Sequence, residues 1–202
     1  MPSGYWPGTR DSHKMLWISN REDFMPVMPP INLKRWVDEH RDLLKPPVGN
    51  KMIWQDAEFL VMAVGGPNQR KDFHVEDGEE FFYQVEGDIT VRIIVDGKVQ
   101  DVKIKEGEMF LLPAGIPHSP QRPANTVGLV IERKRAEAEK DHLRWFCEKC
   151  GEMLYDASFQ LVDLGKQLRP IIEQFYADES LRTCKKCGTV MQVPPAPAAA
   201  AK

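Results

Sequence analysis

The chain has 202 residues, 42% hydrophobic and 28% charged, which is typical of one globular domain, with or without a short appendage. Lys and Arg number 27 against 30 Asp and Glu, for a net charge of −3, so nucleic acid is not an expected partner. No apolar run approaches the roughly 18 residues of a membrane-spanning helix, so no membrane span is expected. A small molecule is the expected partner.

The N-terminal part of the chain combines an irregular stretch with one predicted helix. Residues 1–31 mix Gly, Pro, Trp and charges without periodicity, and we interpret them as an irregular extension. They lack the features of a secretory signal, so a cytoplasmic protein is expected. A helical spacing behind the potential cap Asn32, ended by Pro46, then involves Leu33, Trp36, Val37, His40 and Leu44.

The middle of the chain predicts short strands separated by Gly, Asp and Pro. The seven predicted strands are 51–54, 59–64, 80–86, 89–95, 99–104, 109–112 and 127–132. Asp96-Gly97 between two β-branched runs predicts a tight hairpin, because Gly tolerates positive φ. The connections are too short for crossover helices, which indicates an antiparallel sandwich or barrel.

The C-terminal part changes character after the last predicted strand. The charged run Arg133-Lys134-Arg135 is interpreted as a solvated face. A second helix is predicted over Arg169–Ala177, with Pro170 in its first turn. The Pro/Ala-rich stretch 194–202 is predicted to be a disordered tail. The predicted organisation is therefore an extension at 1–31, a β domain at 32–135, a C-terminal segment at 136–193 and a tail at 194–202.

All four cysteines of the chain fall in two close pairs, Cys147-x2-Cys150 and Cys184-x2-Cys187, each followed by Gly. Two such knuckles bring four thiolates to one tetrahedral, closed metal site, and iron and zinc both suit these ligands. A redox dithiol or free thiols are the alternatives. The pattern favours a structural metal in a reducing, cytoplasmic setting.

A second group of candidate ligands lies in the β region. Two of the five histidines, His74 and His118, occupy similar Gly/Pro-rich surroundings, and Glu79 and Glu80 follow the first of them. Two imidazoles and one carboxylate make up the facial triad of non-haem Fe(II) oxygenases, although Mn, Ni, Co and Zn remain open. An exposed strand start is the alternative reading of the glutamates.

These two segments resemble the motifs of the cupin superfamily. Gly66-x5-Asp72-x-His74-x5-Glu80-x6-Gly87 is similar to the first motif, and Gly107-x5-Pro113-x-Gly115-x2-His118 to the second. The usual first motif begins with His, where this chain has Asp72. The gap before the Glu is also shorter in the usual motif than the five residues that separate His74 from Glu80 here. The departure predicts a site with three ligands.

Longer stretches resemble one cupin family, the short bacterial form of 3-hydroxyanthranilate 3,4-dioxygenase. These stretches are Leu43–Asn50, Gly65–Asn68, Glu79–Gln84 and Pro117–Pro123. The resemblance runs from about Leu33 to Gly188. It implies an all-β-dominated fold: a cupin barrel (double-stranded β-helix or jelly roll) as the catalytic domain at 32–135, with short flanking helices. The four-cysteine segment follows at 136–193.

The resemblance also implies roles for individual residues. His74, Glu80 and His118 would hold a catalytic Fe(II), and Arg70 and Arg122 would bind the substrate carboxylate, which a guanidinium grips through two parallel hydrogen bonds. Glu132 would meet the substrate amino or hydroxyl group. The remaining expected roles are orientation of His74 or Arg70 by Asp72, lining of the pocket by Asn50 and Phe82, and a second, rubredoxin-like iron (or Zn) at Cys147, Cys150, Cys184 and Cys187.

The expected activity is ring opening of 3-hydroxyanthranilate by dioxygen to 2-amino-3-carboxymuconate semialdehyde. That product cyclises to quinolinate, which connects tryptophan catabolism with NAD synthesis. A homodimer is implied as well. Two alternatives remain open: a cupin dioxygenase or isomerase acting on a related aminobenzoate, and a non-catalytic cupin that senses a small acid.

Overall fold

The computed structural model describes residues 29–46, 49–54, 57–68, 70–161 and 164–194. The predicted extension at 1–31 and the predicted tail at 194–202 therefore lie almost wholly outside the described residues. The chain divides into two compact units, Met1–His40 and Arg41–Lys202. Within the described residues, no helix has the length and apolar character needed to cross a membrane.

The first unit contains the predicted N-terminal helix, α1 (Leu33–His40). The backbone N–H of Arg35 donates to Oδ1 of Asn32 at 3.0 Å. The predicted cap is confirmed, because Asn32 satisfies one of the amides that the first turn leaves free. The helix is shorter than its apolar pattern: residues Arg41–Leu44 form a 3-10 turn at the start of the second unit.

The described part of the second unit is built on eleven strands. In chain order they are β1 (Asn50–Trp54), β2 (Phe59–Gly65), β3 (Asp72–Val75), β4 (Glu80–Glu86), β5 (Ile89–Val95), β6 (Lys98–Ile104), β7 (Met109–Leu112), β8 (His118–Gln121), β9 (Val127–Arg133), β10 (Asp141–Phe146) and β11 (Met153–Phe159).

The strands form two antiparallel sheets. The first has the order β1-β2-β9-β4-β7 and the second the order β11-β10-β3-β8-β5-β6. Apart from the hairpins β1–β2, β5–β6 and β10–β11, the chain passes from one sheet to the other between successive strands, as when β3 leads to β4 and β7 leads to β8. This topology is the jelly-roll arrangement of a cupin barrel, and the predicted fold class is confirmed.

The barrel core lies between the two sheets. Met62, Val130 and Phe82 stand at one level across β2, β9 and β4 of the first sheet, and they pack with Val91 and Ile104 of the second. Because side chains alternate along a strand, residues two positions away from this level also face inward. That alternation brings Glu80 and Glu132 into the barrel.

A smaller core joins the C-terminal helices to the second sheet. The helices are α2 (Leu164–Ala177) and α3 (Glu179–Arg182). Phe175 of α2 is fully buried and stacks on Trp145 of β10 at 4.3 Å between ring centroids. Leu143 and Trp145 are opposite His74 and Asp72 in the β10–β3 pairing, so this core continues the inner face of the sheet.

The structure confirms all seven predicted strands and adds four. The predicted hairpin is present, with Asp96 and Gly97 at φ +51° and +70° between β5 and β6. The strands that prediction missed are β3, β8, β10 and β11. The second helix also begins earlier than predicted, at Leu164, so Pro170 lies inside it rather than in its first turn.

Candidate active site

Three predicted ligands come together inside the barrel. His74 on β3 is directly opposite His118 on β8 in the second sheet, and Glu80 begins β4 in the first. All three are buried. One ligand atom from each lies within 4.8 Å of those of the other two. Two histidines that are 44 positions apart in the sequence are thus direct neighbours on paired strands.

One ring nitrogen of His74 is held by a carboxylate that sequence analysis did not single out. His74 Nε2 lies 2.7 Å from Asp141 Oδ2, and Asp141 is fully buried at the start of β10. Such a bond fixes the tautomer and the ring orientation and leaves the other nitrogen for a metal. Burial lowers the pKa of His74, which favours the neutral imidazole that a metal requires.

His118 and Glu80 contact each other across the barrel. His118 Nδ1 is 3.0 Å from the carbonyl oxygen of Ile116, which leaves Nε2 to approach Glu80 Oε2 at 2.7 Å. That approach lacks hydrogen-bond geometry: Glu80 Oε2 is buried without a hydrogen-bond partner among the described residues. Burial opposes its ionisation, but the two histidines outweigh burial and lower the pKa of Glu80.

These observations fit a divalent metal. Two imidazole nitrogens and one ionised carboxylate converge, and one imidazole is oriented by a second carboxylate. The first carboxylate has an oxygen that lacks a hydrogen-bond donor within the described part of the chain. Two histidines and a carboxylate are the usual ligand set of non-haem Fe(II) oxygenases, which leaves further metal positions open.

Behind the ligands lies a buried cluster of charged residues. Glu132 on β9 is opposite Glu80, and both offer carboxylate oxygens within 4.8 Å of Glu76. Burial, reinforced by Glu132, raises the pKa of Glu76 to about 10, so Glu76 is protonated at neutral pH and can donate to Glu132. Arg135 reaches Glu132 Oε2 from Nη1 at 3.1 Å.

The interpretation of Arg133-Lys134-Arg135 as a solvated face is wrong for Arg135. Its side chain is only 6% exposed and pairs with Glu76, Glu132 and Asp141. Arg133, two residues earlier, pairs instead with Glu139 at 2.5 Å and is 39% exposed. A run of charged residues in a sequence does not show which of their side chains is buried at the end of a strand.

The two candidate carboxylate-binding arginines differ in their surroundings. Arg70 is paired with Asp72, to which its Nε donates at 3.0 Å, so Asp72 orients Arg70 while Asp141 orients His74. Arg122 is 2% exposed, and its Nε and Nη1 have no hydrogen-bond partner in the described part of the chain. Burial lowers the pKa of Arg122 to about 10, which leaves it charged at neutral pH.

The backbone around Arg122 leaves room for its guanidinium. A Cβ built on Gly128 would lie 3.0 Å from Arg122 Nη1, so the guanidinium lies close to the backbone of β9 in the first sheet. Its own backbone N–H donates a hydrogen bond to Asn68 Oδ1 at 2.9 Å. Arg122 is therefore a buried, fixed cation with unused donors, suited to a carboxylate.

The two predicted pocket residues lie on the inner face of the first sheet. Asn50 is half-buried on β1, in line with Met52 of the core. Phe82 is 1% exposed and meets His118 edge-on, with ring centroids 6.4 Å apart. A cleft of about 430 Å³ is lined by Arg70, Phe73 and Cys147 among others but by none of the three ligands.

The four cysteines also come together. Their sulfur atoms lie within 4.8 Å of one another, with Cys147 Sγ and Cys150 Sγ each 3.6 Å from a sulfur of the other pair, Cys187 and Cys184. Each knuckle is closed by a glycine at positive φ, Gly151 at +74° and Gly188 at +72°. Four thiols in this arrangement fit a closed tetrahedral metal site.

Sequence reasoning missed three residues around the site: Glu76, Arg135 and Asp141. Asp141 follows a charged stretch with no motif, and only its pairing with β3 brings it to His74. Glu76 lies two residues after His74, but a single acidic residue beside a turn carries little signal. All three side chains are buried because of how the strands pair, and the sequence pattern does not show that pairing.

Comparison with known proteins gives one family and close relatives. The model of the family described as 3-hydroxyanthranilic acid dioxygenase matches residues 25–176. A protein of Xanthomonas campestris pv. campestris (strain B100) named 3-hydroxyanthranilate 3,4-dioxygenase is 49% identical over 168 residues, 83% of this chain and 95% of that protein.

A protein of the same name from Bacillus thuringiensis (strain Al Hakam) is 50% identical over 161 residues, 79% of this chain and 90% of that protein. Among solved structures, a cupin-2 domain containing protein from Shewanella frigidimarina NCIMB 400 is similar, with a TM-score of 0.41 and 20% identity. That match covers 52% of this chain and 94% of the other.

Proposed function

Because the chain belongs to the 3-hydroxyanthranilic acid dioxygenase family, we propose that it opens the ring of 3-hydroxyanthranilate on an Fe(II) held by His74, Glu80 and His118. The chain is an oxidoreductase with 3-hydroxyanthranilate 3,4-dioxygenase activity. Dioxygen and 3-hydroxyanthranilate give 2-amino-3-carboxymuconate semialdehyde. The observation that carries the metal assignment is the convergence of three buried ligand atoms within 4.8 Å.

The iron supplies the dioxygen chemistry, and the protein binds and orients the substrate. Arg122, buried and without an acidic partner among the described residues, binds the substrate carboxylate. Arg70 adds further donors at the same end of the substrate, held in place by Asp72. A carboxylate fixed by two guanidinium groups gives the ring one orientation relative to the metal.

Glu132 is proposed to accept a hydrogen bond from the substrate amino or hydroxyl group. It is directly opposite Glu80 in the sheet, and side chains so placed are about 5 Å apart. A substrate group that reaches the metal beside Glu80 therefore also reaches Glu132. Phe82 and Asn50, on the same inner face, complete the wall of the pocket.

The four-cysteine site is proposed to hold a second iron, or zinc, with a structural role. Four sulfur atoms fill a tetrahedral metal and leave no position for substrate. We further propose that the protein is a cytoplasmic homodimer. The paired cysteines favour a reducing compartment, and the dimer is implied by the family resemblance. The product, which cyclises to quinolinate, places the reaction between tryptophan catabolism and NAD synthesis.

Oxygen uptake tests this function. Protein loaded anaerobically with Fe(II) is mixed with 3-hydroxyanthranilate in aerated buffer, and we expect rapid uptake with formation of the semialdehyde. The His118→Ala variant should lose both. The control is His142→Ala, which removes a half-buried histidine paired with Asp156 outside the site and should keep full activity.

Two results would contradict the proposal. Wild-type protein with a full iron site that consumes no oxygen would exclude this substrate. Unchanged uptake in the His118→Ala variant would exclude the proposed ligand set.

A further inference from the structure

Arg135 lies at the centre of the buried carboxylates behind the proposed metal ligands. Its Nη2 is 2.9 Å from Glu76 Oε2, and its Nη1 is 3.1 Å from Glu132 Oε2. It also binds both oxygens of Asp141, from Nε to Oδ1 at 2.9 Å and from Nη2 to Oδ2 at 2.7 Å. One planar guanidinium thus contacts three acidic side chains that come from different parts of the chain.

The contact with Asp141 leads directly to a metal ligand. Asp141 Oδ2 accepts from Arg135 and also lies 2.7 Å from His74 Nε2. A carboxylate held at both oxygens by a guanidinium cannot rotate freely. Arg135 therefore fixes the plane of the Asp141 carboxylate, and that plane in turn fixes the orientation of the His74 ring.

The contact with Glu132 leads to the substrate side of the site. Arg135 follows β9 closely, and its Nη1 returns to the carboxylate that faces Glu80. Buried carboxylates are unstable unless paired. Burial opposes the charge of Arg135 itself, but the hydrogen bond to Asp141 and the attraction of Glu132 raise its pKa above the ordinary value.

We propose that Arg135 is a positioning residue that sets two orientations together: that of the His74 ring, through Asp141, and that of the Glu132 carboxylate toward the substrate. The inference rests on the proposed function, since it assigns the metal to His74 and the substrate contact to Glu132. Lysine cannot replace arginine here, because an ammonium lacks the planar fork that makes two parallel hydrogen bonds to Asp141 and also reaches Glu132.

The test measures metal affinity separately from activity. A chelator competes for the Fe(II) of the His/Glu site in wild type, Arg135→Lys and Arg135→Gln. We expect the dissociation constant to rise roughly 10- to 100-fold in both variants, as when an outer partner of a metal-binding histidine is lost. The metal at the four-cysteine site should be unaffected and serves as an internal reference. With Fe(II) saturating, kcat should fall more than KM rises.

The matched control is Arg133→Gln. This variant removes the arginine two residues before Arg135, whose partner is Glu139. It should leave the affinity for Fe(II) and kcat unchanged. Asp141→Asn keeps Arg135 but weakens the link to His74, and it should reproduce the loss of affinity. If Arg135→Gln does not fold, Asp141→Asn and Arg135→Lys still test the inference.

Two results would overturn the inference. One is an unchanged dissociation constant and kcat in Arg135→Lys or Arg135→Gln. The other is a lower melting temperature in these variants while the Fe(II) dissociation constant and kcat match those of wild type, which would indicate a purely structural role. Failure of wild-type protein to consume 3-hydroxyanthranilate would instead overturn the proposed function, and the affinity measurement, which needs no substrate, would still decide the role of Arg135.

Discussion

At the scale of single residues, the two arginines of the site differ in charge balance. Arg70 has a carboxylate partner in Asp72, so it presents hydrogen-bond donors but little net charge. Arg122 is buried with no acidic side chain bonded to it among the described residues. A buried cation without a counter-ion is costly unless a ligand supplies the charge. Arg122 is therefore expected to bind the substrate carboxylate more strongly than Arg70.

Replacing Arg122 with glutamine should mainly weaken substrate binding. A charged hydrogen bond contributes about 1.5–3 kcal/mol, so the KM for 3-hydroxyanthranilate should rise roughly tenfold or more. The effect on kcat should be smaller, since the carboxylate is bound before and during the reaction. Steady-state kinetics with saturating Fe(II) measures both constants.

The control for Arg122→Gln is Arg92→Gln on β5. Arg92 is 49% exposed and pairs with Asp101 outside the barrel, so its loss should leave KM unchanged. A KM that stays constant in Arg122→Gln would remove Arg122 from substrate binding.

At the scale of elements, the hairpin between β5 and β6 depends on backbone conformation. Gly97 has φ +70°, and a Cβ placed there would meet nothing within 4 Å. Any penalty for a side chain therefore comes from the left-handed conformation, about 1–2 kcal/mol.

Gly97→Ala should accordingly lower the free energy of unfolding by about 1–2 kcal/mol, as measured by urea denaturation. Asp96→Asn is the control, because asparagine tolerates the φ of +51° found there. Equal stability of Gly97→Ala and wild type would mean that the turn relaxes into another conformation at no cost.

The elements also show what a sequence pattern can predict. The seven predicted strands are rich in β-branched and aromatic residues, and the Asp96-Gly97 turn has a local cause. The missed strand β3 carries Asp72 and His74, and β8 carries His118 and Pro120, so their composition reflects the site rather than strand propensity. The convergence of His74, Glu80 and His118 was predictable from a motif. The placing of Asp141 beside His74, with Arg135 bound to it, was not, because it arises only when β10 pairs with β3.

At the scale of the whole molecule, the four-cysteine cluster joins distant parts of the chain. Cys147 and Cys150 follow β10, which pairs with the strand of His74, and Cys184 and Cys187 follow α3. A metal at this cluster would close a loop that contains β11 and α2. Metal bound only by the folded chain stabilises it directly.

We therefore expect Cys150→Ser to lose one of two metal ions per chain and to lower the melting temperature. Cys150 is exposed, so the change removes a ligand without opening a cavity in the core. Each kcal/mol lost should lower the melting temperature by about 2–4 °C in a domain of this size. The KM for 3-hydroxyanthranilate should not change, because the four cysteines form a group separate from His74, Glu80 and His118. Elemental analysis, calorimetry and kinetics measure the three effects.

Lys186→Gln provides the matched control for Cys150→Ser. Lys186 lies in the second knuckle and is 64% exposed, with Glu152 as its partner at 3.3 Å; all four sulfur ligands remain when it is replaced. Its metal content and melting temperature should match those of wild type. If wild type holds only one ion per chain, and Cys150→Ser keeps that ion and its melting temperature, the cluster is a set of free thiols. The connection of β10 to α3 then depends on the stacked core of Trp145 and Phe175. If Cys150→Ser loses the ion and the stability but also raises KM, the cluster acts on the site as well, through β10 and its pairing with β3.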